Sequence, residues 1–569
     1  MNKFKWEIKS PASIEKINQL SEEINISGEI STILIQRGIN DFNEAKAFFN
    51  PLIEDILDPF LMKDMQKAIA LINKTIEEGN KIIIYGDYDV DGTTSVALVY
   101  SYLKEFTNKI EYYIPDRHKE GYGISTLGIK YAIDNNVSLI IALDCGIKAI
   151  ETIEMARKHN IDFIVCDHHN PGEILPNANA ILNPKQIGCN YPFKELTGCG
   201  IGFKLVQAHN AKKGNSINNI LSYLDLVVVS IAADMVPMVE ENRTLAFYGL
   251  KILNKSPRIG LKVFIENIKN EEIDISKIVF LIAPKINAAG RIKHAKSSVD
   301  LLISTTYLEA KEILNQIEAY NNTRRNLDQS IAEEALKQIA TNNEQENYST
   351  VVYSDNWNIG VLGIVASRLI ETYYRPTLVF AKNEGKWVAS ARSTATFDLY
   401  EALSKFEHLF ERYGGHKFAA GLTILEENLQ EFKDKFEKHL KSTVKKEERT
   451  PTLYIDTELK LNKITSQFLL VVNRISPFGP LNLRPTFVSK EVNIEDLHWL
   501  GKDKNHLKCK VKVDESKTFQ AIYFKCNFSI QESTDAKYDI VYNILENNWQ
   551  GNKAIQLNIL DIKKSTLFG

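Results

Sequence analysis

Between about residues 66 and 240 the chain alternates continuous apolar runs with amphipathic stretches. "KIIIYGD" at 81–87 reads as a buried strand and "TTSVALVYSYLKEF" as the helix after it. "SLIIALDCG" predicts a strand, "AIETIEMARKHN" a helix, "DFIVCDHHN" a strand, and "VVVSIAADMVP" a further apolar strand. Apolar runs separated by helices argue for strands buried on both faces of a parallel sheet.

Downstream, Ile313, Ile317, Tyr320, Leu327, Ile331 and Ile339 recur at helical spacing and predict one long helix over about 307–340. "TVVYSD" and "RPTLVFA" predict strands on either side of a helix in "GVLGIVASRLIETYY". The charged run 438–451 reads as a linker. After it, short alternating segments such as "LKCKVKVD", "TFQAIYFK" and "AIQLNILDI" predict a small all-β module. The expected division is a helical segment 1–65, an α/β domain 66–305, a connecting helix 306–345, a second α/β domain 346–445 and a β module 446–569.

Composition narrows the class. At 569 residues the chain is long enough for several domains, and 44% hydrophobic with 25% charged residues is globular. The apolar stretch 224–236 is too short and too acidic for a membrane span. No apolar stretch follows the basic residues of "MNKFKWEIKS", so no secretory signal is expected. Six scattered cysteines without a CxxC pair favour a reducing, cytoplasmic setting over a disulfide framework or zinc ribbon. With a net charge of −3, a nucleic-acid partner would need a local basic groove.

The predicted strands each run into an aspartate: Asp87, Asp89 and Asp91 after the first, then Asp144, then Asp167 with His168 and His169, then Asp234. In a parallel α/β sheet the ligand crevice lies at the carboxyl ends of the strands, so these groups should converge. So many carboxylates cannot ionise together without cations. Asp and His donors without cysteine fit Mn²⁺ or Mg²⁺, and more than four ligands fit two ions, a pair suited to hydrolysing a phosphoryl bond. Asp-x-Asp-x-Asp-Gly also opens calcium-binding loops, but the twelfth position, normally Glu, is Leu98. Helix N-capping would explain a single acid, Asp144 best of them, but not the whole set.

At these residues the chain resembles the DHH phosphoesterase superfamily, named for the triplet that here is Asp167–His168–His169. "GDYDVDGTTS", "DCG", "CDHH", "AADMVP" and "APKINAAGR" stand in the order of the RecJ branch. "WNIGVLGIVASRL", "ASARS" and "YGGHKFAAG" resemble its DHHA1 domain, and "SPFGPLNLRPTF" the start of its oligonucleotide-binding barrel. The resemblance implies a parallel-sheet DHH domain and an α/β DHHA1 domain joined by a long helix, plus a C-terminal all-β OB-fold barrel. It implies an exonuclease that degrades single-stranded DNA from the 5′ end to mononucleotides in recombination and repair. Its partners would be single-stranded DNA with a 5′ end, a helicase and a single-strand-binding protein, with no membrane.

The resemblance also implies roles. Asp89, Asp91, Asp144, His168 and Asp234 would be ligands of two divalent cations, Mn²⁺ or Mg²⁺, with Asp144 the bridge and Asp87 a ligand or a support. His169 would face the scissile phosphate, and Asp167 would orient its neighbours. Arg117, Asn287, Arg291, Ser390, Arg392 and His416 would bind substrate, the arginines matching phosphate oxygens in a bidentate way. Trp549 or Phe478 would stack on bases or fill the barrel core. Two positions depart from the family pattern: Asn358 stands where His is common, and Ala389 where Gly is usual. Three other readings stay open here: a DHH enzyme for short oligonucleotides, a catalytically silent DNA-binding scaffold, and a two-metal pyrophosphatase.

Overall fold

The computed structural model describes residues 4–565 apart from 11–12, 118, 269–271, 502, 516, 527, 529–535, 550–551 and the side chains of 548, 549 and 552. The chain divides into two compact units. One comprises 51–327 with 477–482, and the other 1–50, 328–476 and 483–569. The long helix, Tyr307–Thr341, runs through the boundary at residue 327.

Strand β1 (Lys5–Ile8) opens the chain. The unit 51–327 is built on β2 (Lys81–Gly86), β3 (Ile110–Tyr113), β4 (Val137–Leu143), β5 (Asp162–Cys166) and β6 (Ala180–Leu182), all parallel and in the order β3-β2-β4-β5-β6. Alternate side chains feed two different cores. Ile82, Ile84, Leu139, Ile141 and Ile164 pack on one face, and Ile83, Tyr85, Ile140, Ala142 and Phe163 on the other. This is why the strands read as unbroken apolar runs, each fully buried large side chain contributing about 1.5–3 kcal/mol. From β2 the chain crosses to β3 on one side, and from β4 to β5 on the other. The crevice between the ends of β2 and β4 is therefore the topological switch point, where parallel sheets bind ligands.

The expected strand ending in Asp234 is instead the helix Leu224–Asp234, with Asp234 its last residue. It packs against the helices Val90–Leu103, Gly198–Lys212 and Glu240–Lys255, and Leu224 through Ala232 are all buried. A helix enclosed on every side loses its polar face, so its sequence cannot be told from a buried strand by periodicity. Among the described residues, Ile217–Asp234 is the one stretch long and apolar enough to cross a membrane, and most of it is buried inside this unit.

In the other unit, β7 (Thr350–Ser354), β8 (Thr377–Asn383), β9 (Lys386–Arg392), β10 (Phe410–His416) and β11 (Ala419–Ile424) form a mixed sheet ordered β10-β11-β9-β8-β7. β12 (Thr452–Ile455) pairs in parallel with β1, and the Trp6 indole donates to Asp561, so the N-terminal strand is tied to the last β module. That module comprises β13 (Thr457–Glu458), β14 (Phe487–Leu500), β15 (His506–Lys512), β16 (Thr518–Tyr523), β17 (Tyr538–Trp549) and β18 (Asn552–Lys564). β14 pairs with β17 through its first half and β15 through its second, with register shifts, which closes a five-stranded barrel. Phe478 does not belong to this barrel. It is half-buried in the loop 477–482, which belongs to the DHH-bearing unit, where Met238 N donates to Pro480 O. The Trp549 ring lies outside the described side chains.

Candidate metal centre

The site starts at the end of β2. Asp89 caps the helix Val90–Leu103 through its carboxylate and the Gly92 amide, at 3.1 Å. The capping acid is thus Asp89 rather than Asp144. The chain turns tightly enough here that a β-carbon on Gly92 would stand 2.3 Å from the Asp87 carbonyl oxygen. Asp87 and Asp91 are both buried. Asp91 faces the start of the helix Gly198–Lys212, whose Gly198 and Cys199 amides donate to its two oxygens at 2.6 and 2.8 Å. The Ser230 hydroxyl donates to it as well, at 2.7 Å.

Asp144, just past β4, is buried and adopts a left-handed φ of 60°. A non-glycine residue there is uncommon, and such strain clusters at functional sites. Beyond β5, Asp167 accepts the Ile147 amide at 2.9 Å, the His169 amide at 3.1 Å and His169 Nδ1 at 2.8 Å. It is therefore occupied in aiming the His169 ring. His168 Nε2 lies 3.2 Å from Asp144, 3.7 Å from Asp91 and 3.8 Å from Asp234.

Electrostatics supports a cation site. Burial and the charge of Asp89 push Asp87 well above the usual carboxylate range, and burial and the charge of Asp91 raise Asp89. Asp144 is raised by burial and by Asp91, Asp89, Asp87 and Asp234. Asp234, at the exposed rim, is pushed up to about 8 by the surrounding protein and by Asp91 and Asp89. Burial lowers His168, which favours the neutral imidazole, the form that can ligate a metal. Burial is the largest single influence on His169 and Asp167 and disfavours charge on both. Their mutual hydrogen bond and charge attraction, with the neighbouring acids for His169 and the Ile147 and His169 amides for Asp167, together outweigh it, raising the histidine and lowering the aspartate.

The donor set fits a metal. Asp87 Oδ1 and His168 Nε2 are buried and find no hydrogen-bond partner among the described residues, a costly state for polar atoms unless a cation occupies them. Their ligand atoms fall into compact groups: Asp87 with Asp89 and Asp144, Asp91 with His168 and Asp234, and Asp144 with His168 and His169. Burial raises the thiols of Cys145, Cys166 and Cys199, so the donors are carboxylate and imidazole, the set that suits Mn²⁺ or Mg²⁺.

Two predicted arginines flank this centre. The Arg117 guanidinium stacks on the Tyr88 ring, 4.9 Å from its centroid, and its charge reaches Asp87. Burial and Asp87 raise the Tyr88 hydroxyl to about 12, with Arg117 and Arg291 opposing, so both arginines stand near the Asp87–Asp89 turn. Asn287 and Arg291 are one turn apart on the helix Ala283–Ile292, and Gly290 of that helix approaches the Tyr88 carbonyl so closely that a β-carbon would stand 3.0 Å away.

Sequence reasoning missed several participants. Tyr122 places its hydroxyl 3.3 Å from the Asp144 carbonyl and from both ring nitrogens of His169. Asn183 donates to the His169 carbonyl at 2.9 Å. The Gly198 and Cys199 amides carry no motif acid or histidine; their signal is "TGCG", a capping threonine before small residues.

Ser390, Arg392 and His416 lie in the other unit. Arg392 Nη1 donates to Ala391 O at 2.8 Å and Ser390 Oγ at 3.3 Å. A β-carbon on Gly363, in the first turn of the helix Leu362–Thr372, would stand 2.8 Å from Arg392 and 3.0 Å from Ser390. A guanidinium, a hydroxyl and a helix start thus meet at one point, a composition suited to an anion. His416 pairs with Ala419, which pairs with Arg392, so it shares their face two strands away, about 10 Å. Asn358 accepts the Gly360 amide at 2.9 Å, and Ala389 faces the sheet's core, so both departures have structural places.

Three family models match the chain: the DHH family N-terminal domain over 81–231, the DHHA1 domain over 346–442 and the RecJ OB domain over 455–561. The chain is 34% identical to the single-stranded-DNA-specific exonuclease RecJ of Bacillus subtilis, over 98% of this chain and 71% of that protein. It is 29% identical to the Escherichia coli protein of the same name, over 88% of this chain and 90% of the other. Its fold is similar to that of Thermus thermophilus RecJ in complex with Mn²⁺, with a TM-score of 0.85, 25% identity, and coverage of 99% of this chain and 80% of that one.

Proposed function

The chain belongs to the RecJ family of DHH phosphoesterases, and from this we propose that it is a metal-dependent exonuclease specific for single-stranded DNA. The observation that carries the reading is His168 Nε2, buried among Asp144, Asp91 and Asp234 with no hydrogen-bond partner among the described residues.

Two ligand groups with no member in common, Asp87–Asp89–Asp144 and Asp91–His168–Asp234, support two ions, with the Asp144–His168 contact linking them. When bound, Mn²⁺ or Mg²⁺ supplies Lewis acidity at the phosphodiester and acidifies water. The chain's own groups do the rest. Asp167 holds His169 by Nδ1, which turns Nε2 outward as a donor to a phosphate oxygen, where it stabilises developing charge. Arg117, Asn287 and Arg291 bind phosphates beside the ions. Ser390 and Arg392, with His416 on the same face, anchor a 5′ terminal phosphate, which gives 5′→3′ polarity and mononucleotide products. The barrel grips the trailing strand through backbone charge and stacking. The enzyme acts in the cytoplasm in recombination and repair, on DNA delivered by a helicase and a single-strand-binding protein; six free, buried cysteines are consistent with that compartment.

The test labels the two ends of a long single strand differently and adds protein with or without chelator. Release is expected from the 5′ end and only with metal. Release from the 3′ end overturns the polarity, and release that survives chelation overturns the metal mechanism. Asp144→Ala is expected to abolish cleavage and leave DNA binding largely intact.

A further inference from the structure

Asp91 differs from the other acids proposed as metal ligands in how completely the protein engages it. Its Oδ1 accepts the Cys199 amide at 2.8 Å and the Ser230 hydroxyl at 2.7 Å, and its Oδ2 accepts the Gly198 amide at 2.6 Å. A carboxylate offers roughly four acceptor positions, so about one remains, on Oδ2, the oxygen that faces His168 Nε2 at 3.7 Å. Asp87 Oδ1, by contrast, has no hydrogen-bond partner among the described residues.

The Ser230 oxygen also lies 2.6 Å from the Thr197 hydroxyl. Ser230 has one hydroxyl proton. If it goes to the charged Asp91, the stronger acceptor, Thr197 must donate its own proton to Ser230. Thr197 can do so because its oxygen is in turn fed by the Gly200 amide at 3.0 Å. The chain of donation therefore runs from Gly200 N–H to Thr197, from Thr197 to Ser230, and from Ser230 to Asp91. Thr197 and Ser230 are fully buried, so no water competes for these bonds. All three leading amides of the helix Gly198–Lys212 thus act on Asp91, two directly and one through the hydroxyls, and a carboxylate is well placed at such a terminus.

We propose that Ser230, driven by Thr197, is a positioning residue that fixes the rotation of the Asp91 carboxylate and leaves it a single oxygen to offer, as a monodentate ligand beside His168. The inference rests on the metal-dependent reading above. Groups that orient ligands commonly govern metal affinity by 10- to 100-fold.

The experiment titrates metal-free full-length protein with Mn²⁺ alone and follows the rise in melting temperature and the calorimetric binding isotherm. Ser230→Ala is expected to weaken Mn²⁺ binding on the order of tenfold. Turnover of Ser230→Ala should suffer most at limiting Mn²⁺ and partly recover as Mn²⁺ is raised. Thr197→Val should give a shift of the same sign, and the double variant should fall well short of the sum, because both changes cut one relay. Thr197→Ser, which keeps the hydroxyl, should bind Mn²⁺ as the natural protein does. Unchanged Mn²⁺ affinity in Ser230→Ala overturns the proposal, as does strict additivity, or a lower metal-free melting temperature with the same affinity. If the natural protein itself shows no response to Mn²⁺, the metal-dependent reading fails instead.

Discussion

Gly198 sits against Asp144 so closely that a β-carbon on it would stand 2.6 Å from the aspartate's Cβ and 2.9 Å from its Cα. The same residue donates its amide to Asp91. One glycine therefore sets the distance between the acid that follows β2 and the acid that follows β4.

Gly198→Ala should consequently push the helix start away from both acids. Backbone and Cβ atoms of a left-handed aspartate cannot give way as a flexible side chain would. We expect loss of cleavage by at least about 100-fold, with a destabilisation of about 1–3 kcal/mol typical of overpacking. Steady-state turnover and denaturant unfolding measure the two effects, and full activity would show that the contact is not needed.

In chelated protein the clustered acids should weaken the fold as pH rises. Asp234 has a folded-state pKa of about 8, above its unfolded value, so its protonated form favours the folded state. That contribution is fully present below about pH 4 and is lost as pH rises through 8. Asp234→Asn should therefore raise the melting temperature of chelated protein at pH 8, relative to the natural chain, more than at pH 5. It should also reduce the stabilisation by added Mn²⁺. Melting curves at the two pH values, with chelator and with Mn²⁺, decide this.

Lys204, on the helix that cradles Asp91, forms a fully buried ion pair with Glu241 at 2.9 Å and also bonds the Leu57 carbonyl. Glu241 further accepts the Tyr191 hydroxyl and the Leu57 amide. Lys204→Met would leave a buried, uncompensated carboxylate, which costs about 3–5 kcal/mol. Urea unfolding should show it, and Lys204→Met combined with Glu241→Gln should recover part of the loss.

Arg392→Ala should remove the guanidinium that, with Ser390 and the turn at Gly363, forms the candidate anion pocket. A hydrogen bond to a charged group contributes about 1.5–3 kcal/mol, so KM for a 5′-phosphorylated strand should rise about tenfold or more. A strand with a 5′ hydroxyl should be affected less. Equal losses on both substrates would remove Arg392 from end recognition.

The sequence by itself determined the strands that carry the acids, the acids themselves and the family. "IIIYGDYDVD", "LIIALDCG" and "FIVCDHH" each place a hydrophobic run just before an acid of the candidate centre, and that pattern is local. Only the tertiary structure decided which ends meet. β2 and β4 are neighbours although β3 lies between them in the chain, and that order makes the switch-point crevice that joins Asp87 to Asp144. It also placed Asp234 at the end of a helix rather than a strand, and gave Asp91 its donors from 107, 108 and 139 residues away. Periodicity reports how a residue sits relative to its immediate neighbours. Sheet order, and a helix start aimed at a distant carboxylate, are set by burying apolar faces and satisfying buried polar groups across the whole unit, which no local pattern encodes.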